Sequence, residues 1–218
     1  MTRPPTVRRP SAQIAWARLA ARSAEVGMDC VCSRVLEDRL WCEAPASAGT
    51  HHCRESGLLE HTDEVVELAW SAANAADQQL GPDCDRRVLV VAGIYHDLLK
   101  TRDYHWEVKP DGRIAVGHKP YHNLIHHISG SYAEFMRVCS QLTPAQLGLQ
   151  SYKQKRHWED AVGHAILAHH GRLEWHSPVT PQTKEAIILH HADSLSANAD
   201  AQDRSSERWT KDSNASHQ

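Results

Sequence analysis

Histidine and aspartate recur through this sequence at positions where they could bind metal ions. The chain of 218 residues holds 17 histidines against 11 glycines, and this excess indicates a use for imidazole. Buried imidazole and carboxylate groups are costly without partners, and metal ions would provide them. Seven such side chains fall on the predicted inward faces of five helices, namely His61, His96, Asp97, His127, His169, His170 and Asp193.

The mixture of nitrogen and carboxylate ligands indicates the class of metal. It suits iron, manganese, cobalt, nickel or zinc better than calcium or magnesium, which favour all-oxygen shells. The adjacent pair His96-Asp97 favours two ions, because neighbours on a helix point about 100° apart and a carboxylate has two oxygens to share. We predict two divalent transition-metal ions bridged by Asp97, the first bound by His61, His96, Asp97 and Asp193 and the second by Asp97, His127, His169 and His170.

The ordered series His, His-Asp, His, His-His, Asp is similar to that of the HD-domain superfamily of metal-dependent phosphohydrolases. The similarity extends to Gly57-Leu-Leu-Glu-His61-Thr, His96-Asp-Leu-Leu-Lys100, Ile166-Leu-Ala-His-His-Gly171 and the stretch from Ser177 to Ala186. Over about residues 50–198 the chain resembles the catalytic domain of the YhaM-type 3′→5′ exoribonucleases. The pair His51-His52 also resembles a feature of HD domains attached to some conjugative relaxases.

This resemblance implies an all-α fold, an HD-domain helical bundle with the metal site between core helices, and hydrolysis of a phosphodiester. It implies catalytic roles for Asp97, as the bridging ligand, and for Lys100, close to the scissile phosphate. The loop after the His169-His170 pair follows two proposed ligands directly. We therefore expect Arg172, Trp175 and Ser177 to contact the substrate.

The remaining ionisable side chains have simpler interpretations. His190 shares a helix face with Asp193, where it could orient a ligand. Lys153, Lys155 and Arg156 could grip a nucleic-acid backbone, although a solvated helix start is the favoured interpretation. Ten other histidines are expected not to bind metal, with His126 the main competitor of His127: His51, His52, His105, His118, His122, His126, His157, His164, His176 and His191.

Helices must position these ligands, because apolar residues recur three and four apart over most of the chain. This spacing predicts helices over residues 12–26, 58–76, 122–139 and around 158–169, and a last one from Thr180-Pro181. The apolar run Arg87–Tyr95 could be a buried strand by composition. We interpret it as a buried helix continuing to Lys100, because no alternating partner strand is evident and no turn signal interrupts it.

Composition and charge bound the class of protein. Hydrophobic residues make up 41% of the chain, which is enough for one core, so we predict a single domain over residues 11–199, and the resemblance implies that it is an HD domain. Residues 1–10 are expected to be disordered and residues 200–218 to form a flexible tail. No apolar run is long enough to span a membrane, and the six cysteines lack metal-site or disulfide-framework spacing, so we expect a cytoplasmic protein.

The sequence favours a metal-dependent phosphodiesterase or nuclease that acts on single-stranded nucleic acid or short oligonucleotides. The net charge of −3 is not typical of a protein that wraps duplex DNA. Three alternatives stay open: a nucleotide phosphohydrolase, a di-iron oxygenase of the same superfamily, and a non-catalytic module in a DNA-transfer system. Protein partners are not indicated.

Overall fold

The computed structural model describes residues 9–110 and 113–215, and over these residues the chain forms ten α-helices and one β-hairpin. The predicted all-α fold is confirmed, with the small hairpin as an addition to it. The helices are α1 (Pro10–Glu25), α2 (Asp29–Leu36), α3 (Arg39–Glu43), α4 (Gly57–Leu80), α5 (Arg86–Tyr95), α6 (Lys100–Asp103), α7 (Tyr121–Leu124), α8 (His127–Cys139), α9 (Tyr152–Ala168) and α10 (Lys184–Ala215). The strands are β1 (Tyr104–Val108) and β2 (Ile114–His118).

Helix α5 lies at the centre of the bundle. Every residue from Val88 to Tyr95 is buried, as expected for a helix covered on all sides. α4 packs against α1, α5 and α10, while α9 packs against α5, α8 and α10. Phe135 of α8 makes edge-on ring contacts with both Tyr95 and Trp158. The C-terminal end of α5 therefore lies in the interior of the protein.

The helix predicted to run from Arg87 to Lys100 is interrupted, contrary to the sequence prediction. Residues 96–99 form a tight turn between α5 and α6. Two bonds between residues three apart hold it, from Leu98 N to Tyr95 O at 3.1 Å and from Lys100 N to Asp97 O at 3.0 Å. His96 and Asp97 therefore project from a turn and not from a continuous helix.

The helix predicted over residues 122–139 is also two helices, α7 and α8. The break falls at His126, whose φ of +67° lies in a region that favours glycine. Neither break contains glycine or proline, so local sequence signals do not mark them. The last core helix starts at Lys184, three residues later than Pro181 would suggest.

The β-hairpin was not predicted from the sequence, which is a further difference in secondary structure. The strands are antiparallel, with Tyr104 opposite His118 and Val108 opposite Ile114. Tyr104, Trp106 and Val108 alternate with polar residues, which is the period of a strand. The hairpin extends from the end of α6, beside the turn that carries His96 and Asp97.

Both predicted terminal segments differ from the structure where it describes them. Residues 1–8 and 216–218 lie outside the described ranges. Pro10, assigned to a disordered segment, begins α1, where proline is favoured because the first helical N–H needs no partner. α10 continues through residues 200–215, and Asp200 accepts hydrogen bonds from Arg54 Nη1 and from His52 N, each at 2.7 Å. Within the described ranges, no helix combines the length and apolar character that a membrane crossing needs.

Candidate metal centre

Seven buried or half-buried side chains meet where α4, α8, α9 and α10 surround the end of α5. They are the seven predicted ligands, and their ligand atoms form two groups in which all atoms lie within 4.8 Å of one another. One group contains His61, His96, Asp97 and Asp193, and the other contains Asp97, His127, His169 and His170. This division is the one expected for two ions that share Asp97.

The two carboxylate oxygens of Asp97 face different groups. Oδ2 lies 3.3 Å from His96 Nε2 and 3.6 Å from His61 Nε2. Oδ1 lies 3.2 Å from His127 Nε2 and 3.5 Å from His169 Nε2. Two ligands of one tetrahedral ion, each about 2.0–2.2 Å from it, stand about 3.3–3.6 Å apart. The spacing therefore suits a carboxylate that gives one oxygen to each ion.

All five imidazoles use Nδ1 in a hydrogen bond, which leaves Nε2 for the centre. Four of the acceptors, three carbonyls and the Asp103 carboxylate, can only accept, so those Nδ1 atoms carry the proton. The acceptors are Ser196 Oγ for His61 at 2.9 Å, Gly93 O for His96 at 2.6 Å, Asp103 Oδ2 for His127 at 2.7 Å, Ile166 O for His169 at 2.7 Å and Trp175 O for His170 at 2.6 Å. Contacts of this kind fix the tautomer of metal-binding histidines.

Several inward-facing atoms of the centre lack hydrogen bonds, which is the direct test of whether a metal fits. Nε2 of His96, His127 and His169 and Oδ1 of Asp97 are buried and make no hydrogen bond within the described part of the chain. Such atoms are rare in folded proteins and costly. Metal coordination would satisfy all four, so the donor set fits divalent ions.

Burial keeps several of these imidazoles neutral, as metal binding requires. Burial, reinforced by the neighbouring His169, lowers the pKa of His170 to about 2. Burial likewise lowers the pKa of His61 and that of His169. Burial opposes the charge of Asp97, but Lys100 and the surrounding histidines hold its pKa well below the usual range. The imidazoles of His61, His169 and His170 are thus neutral beside an ionised carboxylate, whereas at His96 the charges of Asp97 and Asp193 outweigh burial and raise the pKa.

Lys100 places a positive charge at the centre. Its side chain is buried, and its Nζ lies 2.5 Å from Asp97 Oδ2. Burial opposes the ammonium charge, but the negative charges of Asp97 and Asp193 outweigh it and raise the pKa of Lys100. The ammonium therefore stays charged on the side of the first ligand group.

Sequence reasoning missed the side chains that orient the ligands. Ser196 Oγ donates to Glu64 Oε2 at 2.8 Å while it accepts from His61 Nδ1. Asp103 performs the same function for His127. Glu64 follows His61 by three residues on α4, and Ser196 follows Asp193 by three residues on α10. Side chains with this spacing share a helix face, so the sequence did contain a signal for both residues. His190 Nδ1 donates to the carbonyl of His169 at 2.8 Å, a supporting contact of the kind considered for it.

His51 and His52 lie closer to the centre than their interpretation as ordinary histidines suggested. Their rings stand 4.9 Å and 5.2 Å from that of His61, and one ligand atom from each of the three lies within 4.8 Å of the others. His52 Nε2 faces Glu64 Oε2 at 3.1 Å. Burial lowers the pKa of His51 to about 2. His51 thus adds a neutral imidazole to the edge of the first group.

The three residues expected to contact substrate occupy different environments. Trp175 is 48% exposed, the Arg172 guanidinium lies 4.7 Å from its ring centre, and its carbonyl holds His170. Ser177 is buried and donates to Leu167 O at 3.1 Å. Arg172 and Trp175 therefore border the centre, whereas the hydroxyl of Ser177 is engaged in a structural contact.

The basic cluster of Lys153, Lys155 and Arg156 is remote from the centre. It lies in the first turns of α9, and His169 follows the last turn, so the helix rise separates Arg156 from His169 by about 20 Å. Lys155 is buried and forms an ion pair with Glu159. The cluster is the start of a helix and does not border the ligands.

Comparison with known proteins identifies a family model and several relatives that match this chain. The sequence model of the HD domain matches residues 58–198. The chain is 33% identical over 164 residues to the 3′-5′ exoribonuclease YhaM of Bacillus subtilis, covering 75% of this chain and 46% of that protein. Proteins of the same name from Bacillus licheniformis and Bacillus velezensis are each 34% identical over the same shares. The chain thus spans about half the length of these curated relatives, and no solved structure matches it.

Proposed function

The chain belongs to the HD-domain family, and from that premise we propose that it is a metal-dependent phosphodiesterase that degrades single-stranded nucleic acid or short oligonucleotides from the 3′ end. The observation that carries this proposal is the buried carboxylate of Asp97, shared by two groups of ligand atoms. The relatives named 3′-5′ exoribonuclease support the direction of attack.

Two divalent transition-metal ions are the cofactors that this site would hold. The first would bind to His61, His96, Asp97 and Asp193, and the second to Asp97, His127, His169 and His170. A bound pair of such ions supplies a water-derived nucleophile at neutral pH and positive charge beside a phosphate. The protein contributes fixed imidazole orientations, because each Nδ1 is already held by a hydrogen bond.

Lys100 would stabilise negative charge that develops on the phosphate. Its ammonium is charged, nearly dehydrated and held against Asp97. A preorganised charge of this kind in a low-dielectric site is worth more than the same charge in water. Lys100 would therefore bind a non-bridging phosphate oxygen in the transition state.

Trp175 and Arg172 would bind the end of the substrate strand. The exposed indole face can stack a base, and such stacking is tolerant of sequence. Because the carbonyl of Trp175 holds His170, a base on this platform would place its phosphate near the second ligand group. The Arg172 guanidinium over the ring adds a positive charge for the backbone.

One observation favours a second candidate, a phosphohydrolase of free nucleotides. The basic cluster at the start of α9 lies about 20 Å from His169, so it would not neutralise a strand at the centre. A nucleotide needs only the centre itself, Lys100 and one stacking platform. Substrate length separates the two candidates.

We propose the cytoplasm as the compartment. Five cysteines form no disulfide bond, namely Cys30, Cys32, Cys42, Cys84 and Cys139. Burial raises the pKa of Cys42 to about 12 and that of Cys139 to about 12, so these groups stay protonated and unreactive. Unpaired thiols are typical of reducing compartments.

Turnover measured against oligonucleotide length, at two salt concentrations and with Mn²⁺ present, tests the proposal. A 5′-labelled single strand should give a ladder of shortening products, with a rate that rises with length and falls with salt. Trp175→Ala should weaken strand binding by about 1–3 kcal/mol. Tyr152→Ala, which removes a 73% exposed aromatic remote from the centre, is the matched control. A rate that is highest for mononucleotides and flat with salt would refute the nuclease and support the phosphohydrolase.

A further inference from the structure

A row of four imidazole rings runs past the second ligand group to the β-hairpin, and metal binding by that group does not explain it. The ring centres of successive members are between 4.2 and 5.0 Å apart. In order, the members of this histidine row are His118, His122, His126 and His176. His126 joins the row to the centre, because its ring lies 4.2 Å from that of His127 and 6.2 Å from that of His170. The row therefore lies beside the position proposed for the reacting phosphate.

Both ends of the row are open to solvent. His118 and His176 are exposed, and His122 and His126 are half-buried. The rings of His126 and His176 stack with their planes 28° apart. The backbone of His126 has a φ of +67° and a ψ of 146°, a strained conformation of the kind that persists where the surroundings fix it and that clusters at functional sites. Unpaired bases stack on aromatic side chains, histidine included, so the row is an accessible stacking surface.

The charges around the row favour a polyanion. Residues 113–133, which contain three of its four members, include no aspartate or glutamate, although the chain has 27 of these residues. Lys119 follows His118 directly. Asp103, which faces His122 Nδ1 at 3.1 Å, is fully buried. A phosphate backbone on this surface would therefore meet a lysine and imidazoles before any carboxylate of this segment.

The two faces of the hairpin differ in charge. Cross-strand partners share a face, so His118 lies on the same face as Tyr104, and their ring centres are 5.1 Å apart. His105 and Glu107 fall on the opposite face, because successive side chains of a strand alternate. The exposed carboxylate of Glu107 is thus on the face away from the row.

We propose that the histidine row binds the 5′ side of a single-stranded nucleic acid whose 3′ end occupies the metal centre. This inference rests on the proposed nuclease activity. Bases stack on the imidazoles, and stacking of this kind is tolerant of sequence. Lys119 neutralises a backbone phosphate, and at the His176 end the loop carries one charge of each sign, Arg172 and Glu174. The row thus supplies the path for the strand that the remote basic cluster of α9 does not.

The row is tested by the KM of the Mn²⁺-loaded protein for a single strand of about ten nucleotides, divided by its KM for a dinucleotide. His118→Ala should raise this ratio about tenfold, because His122 and His126 separate His118 from the centre and a dinucleotide is too short to reach it. A tenfold change equals about 1.4 kcal/mol, which is within the range for one stacked base. Lys119→Gln should also raise the ratio, and it should lower the slope of log KM against log salt concentration by about 0.7, the value for one phosphate of a single strand. His105→Ala, which removes an imidazole from the opposite face of the same hairpin, is the matched control and should leave the ratio unchanged.

The outcomes separate failure of the row from failure of the proposed function. If the wild type prefers long strands and both His118→Ala and Lys119→Gln keep its KM ratio, the row does not bind the strand, while the nuclease proposal stands. The same conclusion follows if His105→Ala raises the ratio as much as His118→Ala, because the effect then comes from the hairpin as a whole. If the wild type shows no preference for strands over mononucleotides, the nuclease proposal fails and this inference fails with it.

Discussion

Ser196→Ala should weaken the binding of the first metal ion and leave the binding of the second almost unchanged. In the wild type, Ser196 Oγ accepts from His61 Nδ1 at 2.9 Å, which leaves Nε2 unprotonated toward the centre. Without that acceptor, the tautomer of His61 that is protonated at Nε2 becomes more populated, because its Nε2–H can donate to Asp193 Oδ1 at 3.0 Å. That tautomer cannot bind a metal through Nε2.

The size of the effect follows from one buried hydrogen bond. Its loss is worth about 1–1.5 kcal/mol, and 1.4 kcal/mol corresponds to a tenfold change in affinity. Glu64 loses the Ser196 hydroxyl in this variant but keeps His52 Nε2 at 3.1 Å as a partner. The effect of the substitution is therefore confined to His61. We therefore expect the first ion to bind about tenfold more weakly, at the lower end of the range known for residues that orient ligands.

Calorimetric titration of the metal-free protein with Mn²⁺ measures this change. A His170→Ala background removes a ligand of the second group only and so identifies which binding step belongs to the first. Ser194→Ala, the same substitution on α10 at a half-buried serine without a hydrogen bond to His61, is the matched control. First-ion affinity within twofold of the wild type, or equal weakening of both ions, would refute the tautomer argument.

Three further substitutions test other parts of the site. Asp97→Ala should lower metal content at both positions, measured by elemental analysis, and two tightly bound ions in this variant would contradict the shared carboxylate. Lys100→Ala should retain the metal while turnover falls by about 10²–10³, and loss of metal would argue against a role at the phosphate. Gly171→Ala should lower the melting temperature more than Gly148→Ala, because both have positive φ but only at Gly171 would the added Cβ meet the ring of His190, at 2.3 Å. Equal shifts would show that the His190 ring moves aside freely.

The ligand set was predictable from the sequence because coordination depends on residue type. Few arrangements other than a metal site bring histidine and aspartate to five inward faces, and the structure gathers all seven. The oxygens and hydroxyls that orient them were harder to foresee, although Glu64 and Ser196 have a helical spacing from His61 and Asp193. Their roles depend on which imidazole nitrogen faces inward, and only tertiary packing decides that.

The breaks in the helices were not predictable from local signals. Residues 96–99 and His126 leave the helix without glycine or proline, so packing of the surrounding helices imposes the change of direction. The strand alternation from Tyr104 to Val108 was visible in the sequence. Its partner strand, Ile114–His118, contains Gly117, and a glycine inside a strand weakens the strand pattern.

A metal ion bound by both His61 and Asp193 would also stabilise the fold, because these residues lie far apart along the chain. These two side chains are 132 residues apart in sequence and 3.0 Å apart in space. An ion held by both closes a loop through most of the domain, much as a disulfide would, and removes conformational freedom from the unfolded chain. Such a cross-link is reversible, and its strength is set by the free ion concentration. Chelators would then act as denaturants, and resistance to proteases would rise and fall with metal supply.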